Sequence, residues 1–124
     1  MAKKGRSAVS VHMTQRSLRD IKGIEAYSLE QFGRRVANKY LDKLEAGLSR
    51  LAENPELLRE EPPFHDSLRF YRIEKHVLVC ETGVRGKLII LTLLHASMDI
   101  PTRLAELEPM LKMEVQMLAA QLRK

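Results

Sequence analysis

Residues 87–99, KLIILTLLHASMD, constrain this chain more than any other stretch. Residues 88–94 carry aliphatic side chains and one threonine without a single charge, and the chain then turns polar at His95, Ser97 and Asp99. The run is far shorter than the roughly 20 apolar residues that a helix needs to cross a bilayer. A short, uninterrupted apolar run of this kind reads as a strand covered on both faces. The rest of the sequence must therefore supply that cover.

The chain has 124 residues, which suits one domain with one modest core. Hydrophobic residues make up 44%, enough for a packed globule rather than disorder. A formal charge of +5 favours an acidic partner, either nucleic acid or an acidic protein segment, without choosing between them. Part of that excess (Lys3, Lys4, Arg6) lies in residues 1–8, which read as a basic flexible leader. Cys80 stands alone, so there is no disulfide framework and a reducing compartment is indicated. No apolar signal segment follows the basic start, and the expected localisation is cytoplasmic, with no membrane partner.

Taken in order, residues 9–13 alternate apolar and polar side chains and read as a half-buried strand. Thr14 or Ser17 can cap the helix that follows. Leu18, Ile21, Ile24, Tyr27 and Phe32 give that helix an apolar stripe, and Gly33 can end it. A second helix over residues 34–52 buries Ala37, Tyr40, Leu41, Leu44, Leu48 and Leu51, with Gly47 among them. Glycine weakens a helix interior by about 1 kcal/mol against alanine, so a close backbone contact is expected there. Arg34, Arg35, Lys39, Lys43 and Arg50 give this hairpin a basic outer face. A polar linker follows over residues 55–67, with Phe64 tucked beneath it. Strands over 68–74 and 76–81, a turn over 82–86 and the opening strand form an antiparallel meander. Asp99 caps a last helix that starts at Ile100-Pro101, and Pro109 kinks or breaks it.

The predicted fold class is thus α+β: an N-terminal strand, an antiparallel helical hairpin packed on an antiparallel three- to four-stranded sheet, and a C-terminal helix. The core domain spans residues 9–108, and residues 109–124 form an amphipathic helical extension. Its stripe of Leu111, Val115, Leu118 and Leu122 has Met110, Met113 and Met117 beside it. Both an intramolecular and a docking role for that extension are open.

Several chemistries are excluded by spacing. The histidines His12, His65, His76 and His95 show no HExxH or paired-cysteine pattern, so neither a metal nor a cofactor is expected. Gly83-Val84-Arg85-Gly86 joins strands and is neither a KH loop nor a P-loop. No GxSxG is present. Cys80 lies beside Val79 in a strand and reads as a buried thiol. His95 has two readings: a general acid or base at a strand end, or a structural histidine that hydrogen-bonds the Met98-Asp99 corner.

The order of elements and an ordered set of residues resemble the ParE/RelE toxin superfamily of bacterial type II toxin–antitoxin modules, the ParE branch more closely. The set comprises Leu18-Arg19-Asp20-Ile21 with Ile24 and Tyr27, Gly33 with Ala37 and Tyr40-Leu41, and Leu51-Ala52 with Pro55. It continues through Leu68-Arg69 and residues 76–79 to Leu93-Leu94-His95 with Met98-Asp99 and Arg103-Leu104. The resemblance implies a toxin that inhibits DNA gyrase and is neutralised by a cognate ParD-like antitoxin. It implies no catalytic residue and no direct sequence-specific DNA binding by this chain.

On that resemblance, the antitoxin-binding residues are expected to be Tyr27, Arg34, Arg35, Lys39, Tyr40, Lys43 and Leu44. The target-binding residues are expected to be His95, Met98, Asp99 and Arg103. The alternative is a RelE-like, ribosome-dependent mRNA endoribonuclease using His95, Arg72, Arg85 and Arg103. Cutting RNA needs cations around the scissile phosphate and an acid or base near the 2′-hydroxyl, whereas Arg69, Arg72, Lys75, His76, Arg85 and Lys87 are dispersed over the meander. A non-toxic binding relative is a third reading.

Overall fold

The computed structural model describes residues 10–84 and 86–122. The basic leader, Val9 of the expected first strand and Arg85 lie outside the described residues. The elements are β1 (Val11–Met13), α1 (Gln15–Glu53), a 3-10 turn (Pro55–Leu57), β2 (Arg59–Glu60), β3 (Arg69–Ile73), β4 (His76–Val84), β5 (Lys87–His95) and α2 (Ile100–Leu122).

The opening apolar run is β5, the second strand in a five-stranded sheet of order β1-β5-β4-β3-β2. The expected meander is present as antiparallel β3-β4-β5, with His76 opposite His95 and Phe70 opposite Val79. Two short strands extend it beyond the expected three or four. β1 joins β5 in parallel, and β2 adds two residues from the proline-rich linker to the edge of β3. β4 also runs further than expected, through Thr82-Gly83 to Val84, with a register shift after Glu81.

Alternation along β5 feeds two cores. Leu88, Ile90 and Leu93 face Leu44 and Leu51 of α1, whereas Ile89, Leu91 and Leu94 face Ile100, Leu104, Leu107 and Leu111 of α2. Strand β5 is thus buried on both faces, as its composition requires. Phe64 packs under the linker against Phe70, ring edge toward face at 5.3 Å between centroids.

Helix α1 is two arms broken at Gly33, whose φ of 87° and ψ of 171° lie in a region that essentially only glycine visits. The N-cap is Thr14. Its hydroxyl accepts the Ser17 N–H at 3.1 Å and donates to the Leu91 carbonyl at 2.8 Å, pinning the helix start to β5. Gly47 lies where an added Cβ would stand 2.8 Å from Ile73 Cγ1, which is the close approach its position in the stripe predicts. Asp99 caps α2 through Thr102 and the Arg103 N–H. Helix α2 runs from Ile100 to Leu122 with Pro109 inside it, so of the kink or break expected there the break does not occur. No described helix is long and apolar enough to cross a membrane.

Candidate functional site

The two arms of α1 do not bury all of their apolar stripe. Leu18, Tyr27 and Phe32 of the expected first-arm stripe are 49%, 60% and 57% exposed, which corrects the simple reading of a stripe laid on the sheet, and Val36, outside either expected stripe, is 46% exposed. Large exposed apolar side chains gathered in one place mark an interaction surface rather than a scattered accident. Here Tyr27, Phe32 and Val36 flank the break at Gly33 and line one groove of about 730 Å³, together with Gly23, Ile24 and Leu93. Its rim is charged: Arg19, Lys43 and Lys75, with Glu74. The Lys43 ammonium lies 3.9 Å from the Glu74 carboxylate, both half exposed. Among the described residues Arg19 and Lys75 form no ion pair, leaving the rim cationic.

The floor of the groove is held by polar pins. Asp20 accepts hydrogen bonds from the Thr92 hydroxyl and, at 3.0 Å, from the Leu93 N–H, fixing the first arm of α1 to β5. Tyr40, from the second arm, accepts the Lys75 N–H at 3.1 Å and bonds His76 Nδ1 at 2.7 Å. Because the tyrosine oxygen already accepts from Lys75, its O–H is free to donate to an unprotonated Nδ1. His76 and His95, opposite each other in the β4–β5 register, stack edge to face at 5.2 Å. Burial, and then the neighbouring His95, lowers the His76 pKa to about 4. Burial also raises the Tyr40 pKa. The Tyr40–His76 pair is thus a neutral hydrogen-bonded joint between the second arm of α1 and β4.

The expected site residues separate into groups. Tyr27, Tyr40, Lys43 and His95 come together on the groove. Arg34, Arg35 and Lys39 are exposed on the adjoining face of the second arm and do not line it. Leu44 is 2% exposed and belongs to the core, which takes it out of any contact set. His95 Nδ1 faces Ser97, at 3.1 Å from its N–H and 2.7 Å from its hydroxyl, and the His95 carbonyl accepts the Met98 N–H. Met98 is 41% exposed, Asp99 is spent on the α2 cap, and Arg103 pairs with Glu106 at 3.2 Å.

For the nuclease set, Arg72 Nε donates to the Glu74 carbonyl at 2.7 Å, and Arg85 lies outside the described residues. Among the described residues no hydrogen bond or ion pair joins Arg72, Arg103 and His95. Gly23, Phe32, Val36, Arg19 and Lys75 also line the groove and are not among the residues expected from sequence. The signal for Phe32 and Val36 was their place on either side of Gly33, where a break splays the apolar faces. No group of three metal-ligating side chains occurs among the described residues. Cys80 is fully buried, and burial pushes its thiol pKa up.

Comparison with known proteins agrees with this architecture. A protein from Escherichia coli named Toxin ParE is 30% identical over 94 residues, covering 76% of this chain and 91% of that protein. The solved structure described as the chromosomal ParDE TA system from P. aeruginosa superposes with a TM-score of 0.62 at 14% identity. It covers 72% of this chain and 97% of that one, a likeness of fold. Residues 11–100 match the family described as the ParE toxin of the type II toxin-antitoxin system, parDE. That span runs from β1 through the groove to the cap of α2, so the chain belongs to the ParE toxin family.

Proposed function

We propose that this chain is a cytoplasmic toxin that inhibits DNA gyrase and is held inactive by a ParD-like antitoxin seated in the hairpin groove. The observation that carries the reading is the exposed Tyr27–Phe32–Val36 surface with its cationic rim. An apolar floor with basic edges suits an acidic amphipathic segment that folds on binding. Steering by Arg19, Lys75 and the outer Arg34, Arg35 and Lys39 would speed encounter more than it strengthens the final complex. The surface around His95 and Met98, beside the same groove, is the proposed contact with gyrase, which would let antitoxin and target exclude each other.

The test uses a purified ParD-like antitoxin as the binding partner. Replacing Tyr27 and Phe32 together by alanine is expected to weaken the complex at least tenfold, since aromatic anchors in a groove carry roughly 2 kcal/mol or more each. Unchanged affinity would remove the groove from the proposal. For the target, purified chain is expected to block gyrase supercoiling and to leave messenger RNA intact on translating ribosomes. The reverse result would establish the endoribonuclease alternative.

A further inference from the structure

On the face of the sheet away from the groove lies a second, smaller cavity of about 210 Å³. Leu68, Leu91 of β5, and Leu111 and Val115 of α2 give it apolar walls. One strand position breaks that pattern. Along β4, Val77 and Val79 pack into the α2-side core, and alternation places Glu81 next on the same face. Two register shifts against β5, between Val79 and Cys80 and between Glu81 and Val84, bracket this position. Irregularities of this kind re-aim side chains beside functional sites. Glu81 lines the cavity, and among the described residues its carboxylate has no hydrogen bond and no ion pair.

The donors around it are committed elsewhere. Arg69 pairs with Glu60 at 3.3 Å and donates to the Ser67 carbonyl at 3.0 Å. Lys112 lies 3.8 Å from Glu108, one turn before it on α2. His65 accepts the Ser67 N–H at Nδ1, at 3.1 Å, which in the neutral ring leaves its own N–H on Nε2, 3.6 Å from the Glu108 carboxylate. The charge of Glu108 is thus offset, whereas that of Glu81 is not. Burial raises the Glu81 pKa, and the nearby His65 and Arg69 offset only part of that rise.

The class of ligand follows from these walls. A carboxylate only accepts, so the group that meets it must donate, and a cation gains most by doing so. The apolar walls call for a hydrocarbon body behind that head. A volume of about 210 Å³ is the share of about seven water molecules in the liquid, room for a head with a short chain or one ring.

We infer that this cavity binds a small organic cation, an ammonium or guanidinium on a short apolar body, with its head on Glu81 and its body between Leu91, Leu111 and Val115. The cation is a free amine or a lysine or arginine side chain of a partner protein. The α2 wall, drawn from residues 108–116, lies beyond the residues 11–100 that match the family, so the site is separate from the groove and from the reading built on it.

The experiment titrates the full chain with benzylammonium and butylguanidinium, with benzyl alcohol and benzoate as the neutral and anionic counterparts. The cations are expected to bind with a Kd of about 1 mM or tighter, to shift the NMR amide signals of Glu81, Leu91 and Val115, and to raise the melting temperature. Benzyl alcohol is expected to bind at least about tenfold more weakly, and benzoate not at all. Glu81→Gln is expected to fold with a melting temperature equal to or above wild type and to lose at least about tenfold in affinity for both cations. No binding of the cations, equal affinity for benzyl alcohol, wild-type affinity in Glu81→Gln, or shifts confined to residues outside the cavity would each overturn the proposal. So would a lowered melting temperature in Glu81→Gln, which would show that the carboxylate is already compensated in the free chain, for instance by Lys112. A capped arginine amide separates the two sources. Affinity equal to that of butylguanidinium assigns the site to a partner's side chain. A loss of about tenfold, with butylguanidinium still bound, assigns it to free amines.

Discussion

At the scale of single residues, the glycines show how much a position can reveal before its partner is known. Gly47 stood out because it interrupts a buried stripe between Leu44 and Leu48, and a glycine there demands a neighbour. The neighbour itself, Ile73 on β3, is set by how the second arm of α1 crosses the sheet, which no local pattern encodes. Replacing Gly47 with alanine sets two effects against each other. Helix propensity favours alanine by about 1 kcal/mol, whereas forcing a methyl against packed side chains costs about 1–3 kcal/mol. The contact is not with a yielding side-chain end alone, because Ile73 Cγ1 and Cγ2 would stand 2.8 and 3.2 Å from the new Cβ. Ile73 is itself 7% exposed, which leaves it little room to give. Gly47→Ala is therefore expected to lose about 1–2 kcal/mol in urea unfolding, and Ile73→Val is expected to return part of it in the double variant. A stability equal to wild type would mean that Ile73 moves aside freely.

At the scale of elements, the strands and helices were legible because each carries a period. The alternation in residues 11–13, the unbroken run in β5 and the helical stripes of α1 and α2 all reflect which faces are covered. The junctions between elements were less legible. Tyr40 read as a stripe residue, yet its hydroxyl joins the second arm of α1 to the β3–β4 turn, with His76 and Lys75 as partners far away in sequence. Likewise Asp20 reaches Thr92 and Leu93 only because the first arm crosses β5. The stretch over residues 55–67 hid β2, because a two-residue strand has no period to detect.

The Tyr40–His76 joint has a consequence that can be measured. His76 has its pKa lowered from 6.5 to about 4 in the folded chain, so the unfolded chain binds the extra proton between those values. The contribution is complete above pH 6.5 and is lost as the pH falls toward 4. Protonation would also make Nδ1 a donor and reverse its bond to Tyr40. Because His76 is only half-buried, solvent screening reduces the effect to about 1 kcal/mol. Glu81, whose carboxyl pKa burial raises, acts in the opposite sense, so a variant is needed to isolate the histidine. Wild type is expected to lose stability between pH 6.5 and 4 by about that much more than His76→Gln. Parallel curves would show that His76 titrates normally.

At the scale of the whole molecule, the sheet divides the labour between its faces. The α1 side carries the groove, the exposed aromatics and the polar pins, whereas the α2 side carries a packed apolar core with a smaller cavity of about 210 Å³ beside Leu111 and Val115. The sequence left open whether residues 109–124 serve that core or a partner, because an amphipathic stripe with methionines beside it has the same period in both cases. In the fold the two sides of α2 differ. Leu111 is 4% exposed in the cluster with Leu104 and Leu107, and Val115 and Leu118 pack against it, while Met113 and Met117 are 61% and 62% exposed. The Glu114 carboxylate also accepts the Arg16 N–H at 3.2 Å, tying the distal half of α2 to the start of α1. Truncating a buried leucine removes both its transfer energy and the contacts around the space it leaves. Leu111→Ala is accordingly expected to cost about 2–4 kcal/mol in chemical denaturation, and Met113→Ala to stay within about 0.5 kcal/mol of wild type. Were the distal half of α2 a docking arm that leaves the body of the chain, Leu111→Ala would unfold at the wild-type denaturant concentration. Only binding to the partner of that arm would then change.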